Sequence, residues 1–170
     1  KNEQVASISI DSLKNIYRLR LFKNKELDKL NDTLLIKNDN INNAFYISKS
    51  DSNENLQWVR NIGGSPFELP SKIINDEENN LYLIGTVGNQ FAYNSTNGNG
   101  LIDQTLNYTA YIVKYNEEGE EEWSSFVYGL DVYRYFHTSF YNNSVIIEGY
   151  FNGFYTQRSI LPGTNVYWRH

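Results

Sequence analysis

Two stretches of this chain, YISKSDSNENLQW (residues 46–58) and YIVKYNEEGEEEW (residues 111–123), carry Tyr, Ile, Lys and Trp at matching places 65 positions apart. A repeat restricts a fold more tightly than composition does, because each unit must bury its apolar surface against its neighbours. The same offset lays Gly64 over Gly129. It also lays ISIDSLKNIY (residues 8–17) over IINDEENNLY (residues 73–82), with Ile8/Ile73, Asp11/Asp76, Asn15/Asn80 and Tyr17/Tyr82 identical. A third, partial copy, NNSVIIEG (residues 142–149), lies over ENNLYLIG (residues 78–85) at an offset of 64. Two separate stretches that agree at one offset, each spanning a turn and its flanks, exceed chance.

The unit has a readable grammar. AYIVKY leads through the polar turn NEEGEE to WSSFVY, a segment opened by Trp. A glycine-containing loop follows, then FHTSFYNN, then SVIIEGYF. Short apolar and aromatic runs bounded by Asn, Asp and Gly predict an antiparallel meander. Composition agrees, with four Ala against 24 Asn and 14 Tyr. Ala is the best helix former, whereas Tyr favours strands and Asn favours turns.

The expected fold is therefore all-β, with propeller-like four-stranded antiparallel blades repeating every 65 residues. The units fall at residues 1–43 (partial), 44–108 and 109–170, about 2.6 in all. A closed propeller has at least about four blades, so an incomplete propeller is expected. Ordinary blades take roughly 40 to 50 residues, and the excess falls at residues 23–43 and 88–108. These are expected to be long loops or an extra hairpin on one face. Leu27, Leu30 and Leu34 also fit a short helical stripe, but the Gly- and Asn-rich counterpart favours an irregular loop ending in the strand TLLIK.

Other classes are excluded or left without support. A net charge of −5 gives no basic footprint for nucleic acid or anionic lipid. The longest apolar run is four residues, so membrane insertion by a helix is not expected. Cys is absent, which removes disulfides and thiolate metal sites. Met is absent too, as expected of a mature or trimmed product that has lost a targeting segment.

GYFNG (residues 149–153), AYIVKYNEEGEEEW (residues 110–123) and DEENNLYLIGTV (residues 76–87) resemble the β-propeller repeat of bacterial secreted and surface proteins. The positions that carry the resemblance are Lys114, Tyr115, Gly119, Trp123 and Gly129 in one unit, and Asp76, Asn80, Tyr82 and Gly85 in the unit before. Arg20 and Ser50 depart from an expected Gly and aromatic, and the third copy lacks the Asp, so both outer copies are expected to be edge units. The resemblance implies an extracellular or cell-surface scaffold, or an adhesive binding module, with no particular chemistry. The rival expectation is the non-catalytic propeller portion of a larger secreted enzyme.

Candidate chemistry is sparse, and neither a catalytic residue nor a cofactor is expected. Paired carboxylates can hydrolyse glycosides, but Glu117, Glu118, Glu120, Glu121 and Glu122 surround Gly119 in a turn and read as a solvated hairpin tip. DSNEN (residues 51–55) resembles half of a calcium loop without its Gly and distant Glu. His137 and His170 are the only two His, so no His-based metal cluster is expected. GNGL lacks the strand-to-helix context of a phosphate loop.

Trp58 and Trp123 could stack on a sugar. Because they recur at the repeat period, they are expected instead as structural anchors, together with Tyr17, Tyr82, Gly64 and Gly129. The non-repeating aromatics Phe91 to Tyr93, Tyr133, Tyr135 and Phe154 to Trp168 are the better candidates for a glycan ligand. Glycosylation triplets stand at Asn31, Asn94, Asn107 and Asn142. Finally, NVYWRH (residues 165–170) reads as a strand without its hairpin partner, and VASISI (residues 5–10) begins without a preceding strand. They are expected to pair with further repeats or a protein partner by strand addition.

Overall fold

The computed structural model describes residues 3–22, 29–30, 33–34, 44–62, 68–87, 91–92, 102–103, 109–129, 132–141, 144–151, 155–159 and 166–169. Among these there is no helix. The strands are β1 (Glu3–Ile10), β2 (Ile16–Phe22), β3 (Lys29–Leu30), β4 (Thr33–Leu34), β5 (Ala44–Ser50), β6 (Leu56–Ile62), β7 (Glu68–Asn75) and β8 (Leu81–Val87). They continue with β9 (Phe91–Ala92), β10 (Ile102–Asp103), β11 (Thr109–Tyr115), β12 (Glu121–Gly129), β13 (Val132–Tyr141), β14 (Ser144–Phe151), β15 (Tyr155–Ser159) and β16 (Val166–Arg169).

Sheet 1 runs β1-β2-β5-β6 and sheet 2 runs β7-β8-β11-β12, with β15 added outside β12. Each of these four-strand arrays is an antiparallel meander. Their strands begin at Glu3, Ile16, Ala44 and Leu56 and at Glu68, Leu81, Thr109 and Glu121, every pair 65 positions apart. The irregularities match too. The ladder skips Ala6 in β1 and Ser71 in β7, and it skips Gln57 opposite β5 and Glu122 opposite β11. Bulges of this kind re-aim a strand and sharpen its twist.

The four short hairpin turns of sheets 1 and 2 have one design. In Asp11–Asn15, Asp51–Asn55, Asp76–Asn80 and Asn116–Glu120 the amide of the fourth residue donates to the first carbonyl, at 3.0 to 3.2 Å. The fourth residue is left-handed, with φ of 65° at Lys14, 66° at Glu54, 67° at Asn79 and 75° at Gly119. A type I turn followed by a left-handed residue is a favoured three-residue hairpin loop. The first side chain braces it. Asp76 accepts from the amides of Glu78 and Asn80, from Asn80 Nδ2 and from the Tyr82 hydroxyl. Asp11 does the same for Asn15 and Tyr17.

The two sheets stack in one sense. Tyr17, Leu19, Phe45, Ile47 and Ile62 of sheet 1 pack on Ile73, Leu81, Leu83, Tyr111, Val113 and Tyr115 of sheet 2. The sheet 2 set corresponds, 65 positions back, to Ile8, Ile16, Arg18, Tyr46, Ser48 and Ser50, which lie on the opposite face of sheet 1. The front of one sheet therefore meets the back of the next. The front of sheet 2 continues the pattern, with Tyr82, Ile84 and Ile112 packed on Val145 of β14. On the back of sheet 1, Arg18 and Ser48 replace Leu83 and Val113, and Arg18 pairs with Glu54 at 3.0 Å. This back face is more polar than that of sheet 2, although Tyr46, Ser48 and Ser50 on it are buried.

Two expectations are corrected. AYIVKY and WSSFVY do not share a sheet with FHTSFYNN and SVIIEGYF. Instead, β11 and β12 close sheet 2, while β13 and β14 begin a separate sheet, β13-β14-β16. The hairpins follow from local turn chemistry, but which hairpins share a sheet depends on distant packing. The long excursions connect strands inside one sheet, and the short link at residues 63–67 separates sheets. Each excursion holds a two-stranded ladder, β3-β4 or β9-β10. Lastly, NVYWRH is not without a partner, because β16 runs parallel to β14 with Val166 opposite Val145. VASISI forms the edge strand β1, with Ile8 56 % and Ile10 62 % exposed.

Candidate functional site

The densest polar constellation lies where the second hairpin of sheet 2 meets sheet 1. Tyr17 on β2, Lys49 on β5, and Trp58 and Arg60 on β6 project from the front of sheet 1 at its turn end. Strand pairing sets them side by side, with Tyr17 and Trp58 both opposite Lys49. The Tyr17 and Trp58 rings meet edge to face at 5.9 Å, and Lys49 Nζ stands 5.5 Å from the Tyr17 ring centre. Arg60 lies 5.5 Å over the Trp58 ring. Aromatic faces attract cations through the ring quadrupole.

The turn Asn116–Glu120 sits in this platform. Lys49 Nζ donates to the Glu117 carbonyl at 3.1 Å and reaches its carboxylate at 3.4 Å. Trp58 Nε1 donates to the same carbonyl at 3.0 Å. Arg60 Nε donates to the Gly119 carbonyl at 2.8 Å, and its Nη2 donates to the Glu118 carbonyl at 2.9 Å. A Cβ on Gly119 would lie 2.9 to 3.0 Å from three Trp58 indole carbons, so only glycine lets the turn close on the ring. Lys49 is nearly sequestered, with its side chain 3 % exposed, and these acceptors compensate its burial.

A second link joins the first hairpins of the two sheets. Ser12 donates to Asn79 Oδ1 from its amide at 3.1 Å and from its hydroxyl at 2.7 Å. The Glu run is thus not merely a solvated tip. The side chains of Glu117, Glu118 and Glu120 are exposed, but the turn backbone is the part held.

Sheet 2 repeats the platform. Tyr82 and Trp123 meet edge to face at 6.0 Å, and Lys114 Nζ lies 6.0 Å from the Tyr82 ring centre. Here Lys114 pairs with Glu122 of its own sheet at 2.7 Å, and Ser125 stands where Arg60 stands in sheet 1. Both Trp residues are half-buried on strands. Burial drives the Tyr17 and Tyr82 hydroxyls far above the ordinary phenol value of 10, with Asp11 and Asp76 adding to the effect.

DSNEN has no free carboxylate with which to build a calcium site. Asp51 accepts from the amides of Asn53 and Asn55 and from Asn55 Nδ2. The Asn55 side-chain bond is the largest cause of its lowered pKa. Among the described residues, no group of three His, Asp or Glu could hold a metal ion. Gly129 ends β12, while Gly64 lies outside the described residues. Asn31, Asn94, Asn107, Asn142, Tyr93 and His170 also lie outside them. His137, Tyr133 and Tyr135 stand on β13, and their side chains are not among those described.

Reading the sequence singled out Trp58, Trp123, Tyr17 and Tyr82, and the structure brings them together two by two. It missed Lys49, Arg60 and the docking role of the acidic turn. A signal was present: of the four turns, only Asn116–Glu120 places Gly at the left-handed position. No protein-family model matches the chain, and no curated protein matches it.

Proposed function

We propose that the chain is a non-catalytic β-propeller-repeat scaffold, acting at the cell surface or outside the cell as a structural or adhesive module of a larger assembly. The observation that carries this reading is the front-to-back stacking of two strand-for-strand equivalent sheets, locked by the Asn116–Glu120 turn on Lys49, Trp58 and Arg60. Stacking of one sense can be extended by further units, which is how repeat scaffolds grow. The charged groups at the most elaborate site are engaged in holding backbone, which suits a connector better than a catalyst. The surface location rests on the resemblance of the repeat to those of bacterial secreted and surface proteins. Ligands would enter through the non-repeating aromatics, with glycans as the first class to try.

The test is a binding panel of glycans and matrix proteins, combined with fractionation of the source cells. Saturable binding together with recovery from the surface fraction is expected. Recovery from the cytosol, with hydrolytic or lyase activity copurifying with the 170-residue chain, would overturn the reading.

A further inference from the structure

β1 and β7 occupy equivalent edges of sheets 1 and 2, and among the described residues no strand pairs outside either of them. Their protection differs. Pro70 and Lys72 of β7 stand 65 positions after Val5 and Ser7 of β1, and the Ile73 amide donates to Ser7 Oγ at 3.2 Å. Pro, Lys and a covering neighbour keep an edge strand from recruiting another strand. β1 has only the bulge at Ala6, which β7 shares at Ser71. From Gln4 to Ile10 it carries no charge and no Pro. Its apolar side chains on the back of sheet 1 lie open, with Val5 47 %, Ile8 56 % and Ile10 62 % exposed, and Leu13 in the adjoining turn 59 %. Ile73, the counterpart of Ile8, is buried against sheet 1.

The backbone and the side-chain pattern of β1 both suit a partner strand of its own sequence. The Asp11 amide donates inward to the Asn15 carbonyl at 3.2 Å. By the alternation of an antiparallel ladder, the amides and carbonyls of Ile10 and Ile8 therefore point away from β2. Ser7 and Ser9 lie on the front, opposite Leu19 and Tyr17, while Ile8 and Ile10 lie on the back, opposite Arg18 and Ile16. We propose that β1 is a self-complementary pairing edge, and that its occupant is β1 of a second copy of this chain, joined antiparallel about a two-fold axis. Setting Ile8 against the copy's Ile10 places Ser9 on the axis and opposes the outward backbone groups of both strands. Ile then meets Ile on the back, and Ser meets Ser on the front.

A further sheet of the same repeat fits the back of sheet 1 worse. Its Trp platform would meet the turn Asp51–Asn55, where Glu54 holds the place that Gly119 holds in the occupied junction. There a Cβ would lie 2.9 to 3.0 Å from the indole carbons. Glu54 is also engaged with Arg18 at 3.0 Å. The proposal rests on the strand-for-strand equivalence behind the stacked-repeat reading, and it names the partner through which such a module would assemble.

Sedimentation of the full 170-residue chain over a concentration series tests it. A dimer that dissociates on dilution is expected, since one strand pair makes a small interface. Val5→Pro and Ile8→Lys give β1 the residue types that guard β7, and each should return the chain to monomer with its circular-dichroism spectrum unchanged. β7 already accommodates Pro at the equivalent register position. The chain has no Cys, so a single introduced thiol reports on the pairing. Ser9→Cys should give a covalent dimer on mild oxidation, because Cα atoms opposed across a strand pair lie roughly 4.5–5.5 Å apart, within disulfide reach. Ser52→Cys, exposed in another hairpin turn, should not. A chain that stays monomeric at every concentration, with its Gly119–Trp58 contact intact by NMR, overturns the pairing alone. A dimer that survives both Val5→Pro and Ile8→Lys, or open-ended polymers, would overturn it by placing the interface elsewhere. Loss of the Gly119–Trp58 contact in the unmodified chain would remove the repeat reading beneath it.

Discussion

Replacing Gly119 by Ala probes the junction between the sheets through a single carbon atom. Two separate penalties are expected. At φ of 75° an L side chain sits in the left-handed region, which costs roughly 1–2 kcal/mol. The added Cβ would also lie 2.9 to 3.0 Å from Trp58 Cε2, Cδ2 and Cζ2. The indole is braced by Tyr17 on one side and Arg60 over its face, so it cannot swing clear. The turn must lift, which loosens the Arg60 bond to Gly119 and the Trp58 bond to Glu117. Losing one hydrogen bond from a charged donor adds about 1.5–3 kcal/mol.

Gly119→Ala should therefore destabilise the chain by about 2.5–5 kcal/mol in urea unfolding followed by circular dichroism. Gly119→Asn separates the two penalties, because Asn tolerates the left-handed conformation yet carries a Cβ. It should keep the steric part, about 1.5–3 kcal/mol. Lys14→Gly, at the equivalent position of an exposed turn with φ of 65°, should be neutral or stabilising by up to about 1 kcal/mol. If Gly119→Asn matched the parent chain, and Gly119→Ala lost only about 1 kcal/mol, the turn would not be closed on Trp58 and the reasoning would fail.

The other predictions concern the platforms and the turns. Trp58→Ala should cost about 3 kcal/mol or more in the same unfolding assay, and Trp123→Ala clearly less, because among the described residues only Trp58 supports a seated turn. Equal losses would mean that both act only as core filler. Asp51 has a folded-state carboxyl below its unfolded value of 3.8, so it adds stability above that pH, and the contribution is lost as pH falls through the lower folded value. Asp51→Asn, which keeps the acceptor and removes the titration, should flatten the acid limb of stability against pH. Tyr17 and Tyr82 are raised above 10, so their contribution is intact below pH 10 and is lost as pH rises further. Tyrosinate absorbance should show both resisting ionisation until the chain unfolds, and ionisation of every Tyr at the ordinary value would contradict their burial.

The parts of this fold that depend on near neighbours were legible in the sequence. Asp76, Asn80 and Tyr82 belong to one hairpin, and their repetition at Asp11, Asn15 and Tyr17 announced both the turn and the strands beside it. The seat was not legible, because Lys49 and Glu117 are 68 positions apart and no local preference pairs them. The grouping of hairpins into sheets failed for the same reason. A hairpin is fixed by its own turn, whereas the choice of neighbour depends on which faces are apolar after folding. Ser48 and Val113 show the difference. They hold the same repeat position and both are buried, yet only Val113 belongs to the apolar core between the sheets. Gly119 was the readable exception, since Lys14, Glu54 and Asn79 adopt the same backbone without it.

The contact between Gly119 and the Trp58 indole is the point on which the front-to-back stacking of the two sheets turns, and proton–proton cross-relaxation measures it directly. In the folded chain, cross-peaks are predicted from the Gly119 α-protons to the Trp58 ring protons, and from the Ser12 amide to the Asn79 side-chain amide. Both sets should disappear together on unfolding. A folded chain that lacked the Gly119–Trp58 cross-peaks, with each hairpin still intact, would show that the sheets do not stack in this way.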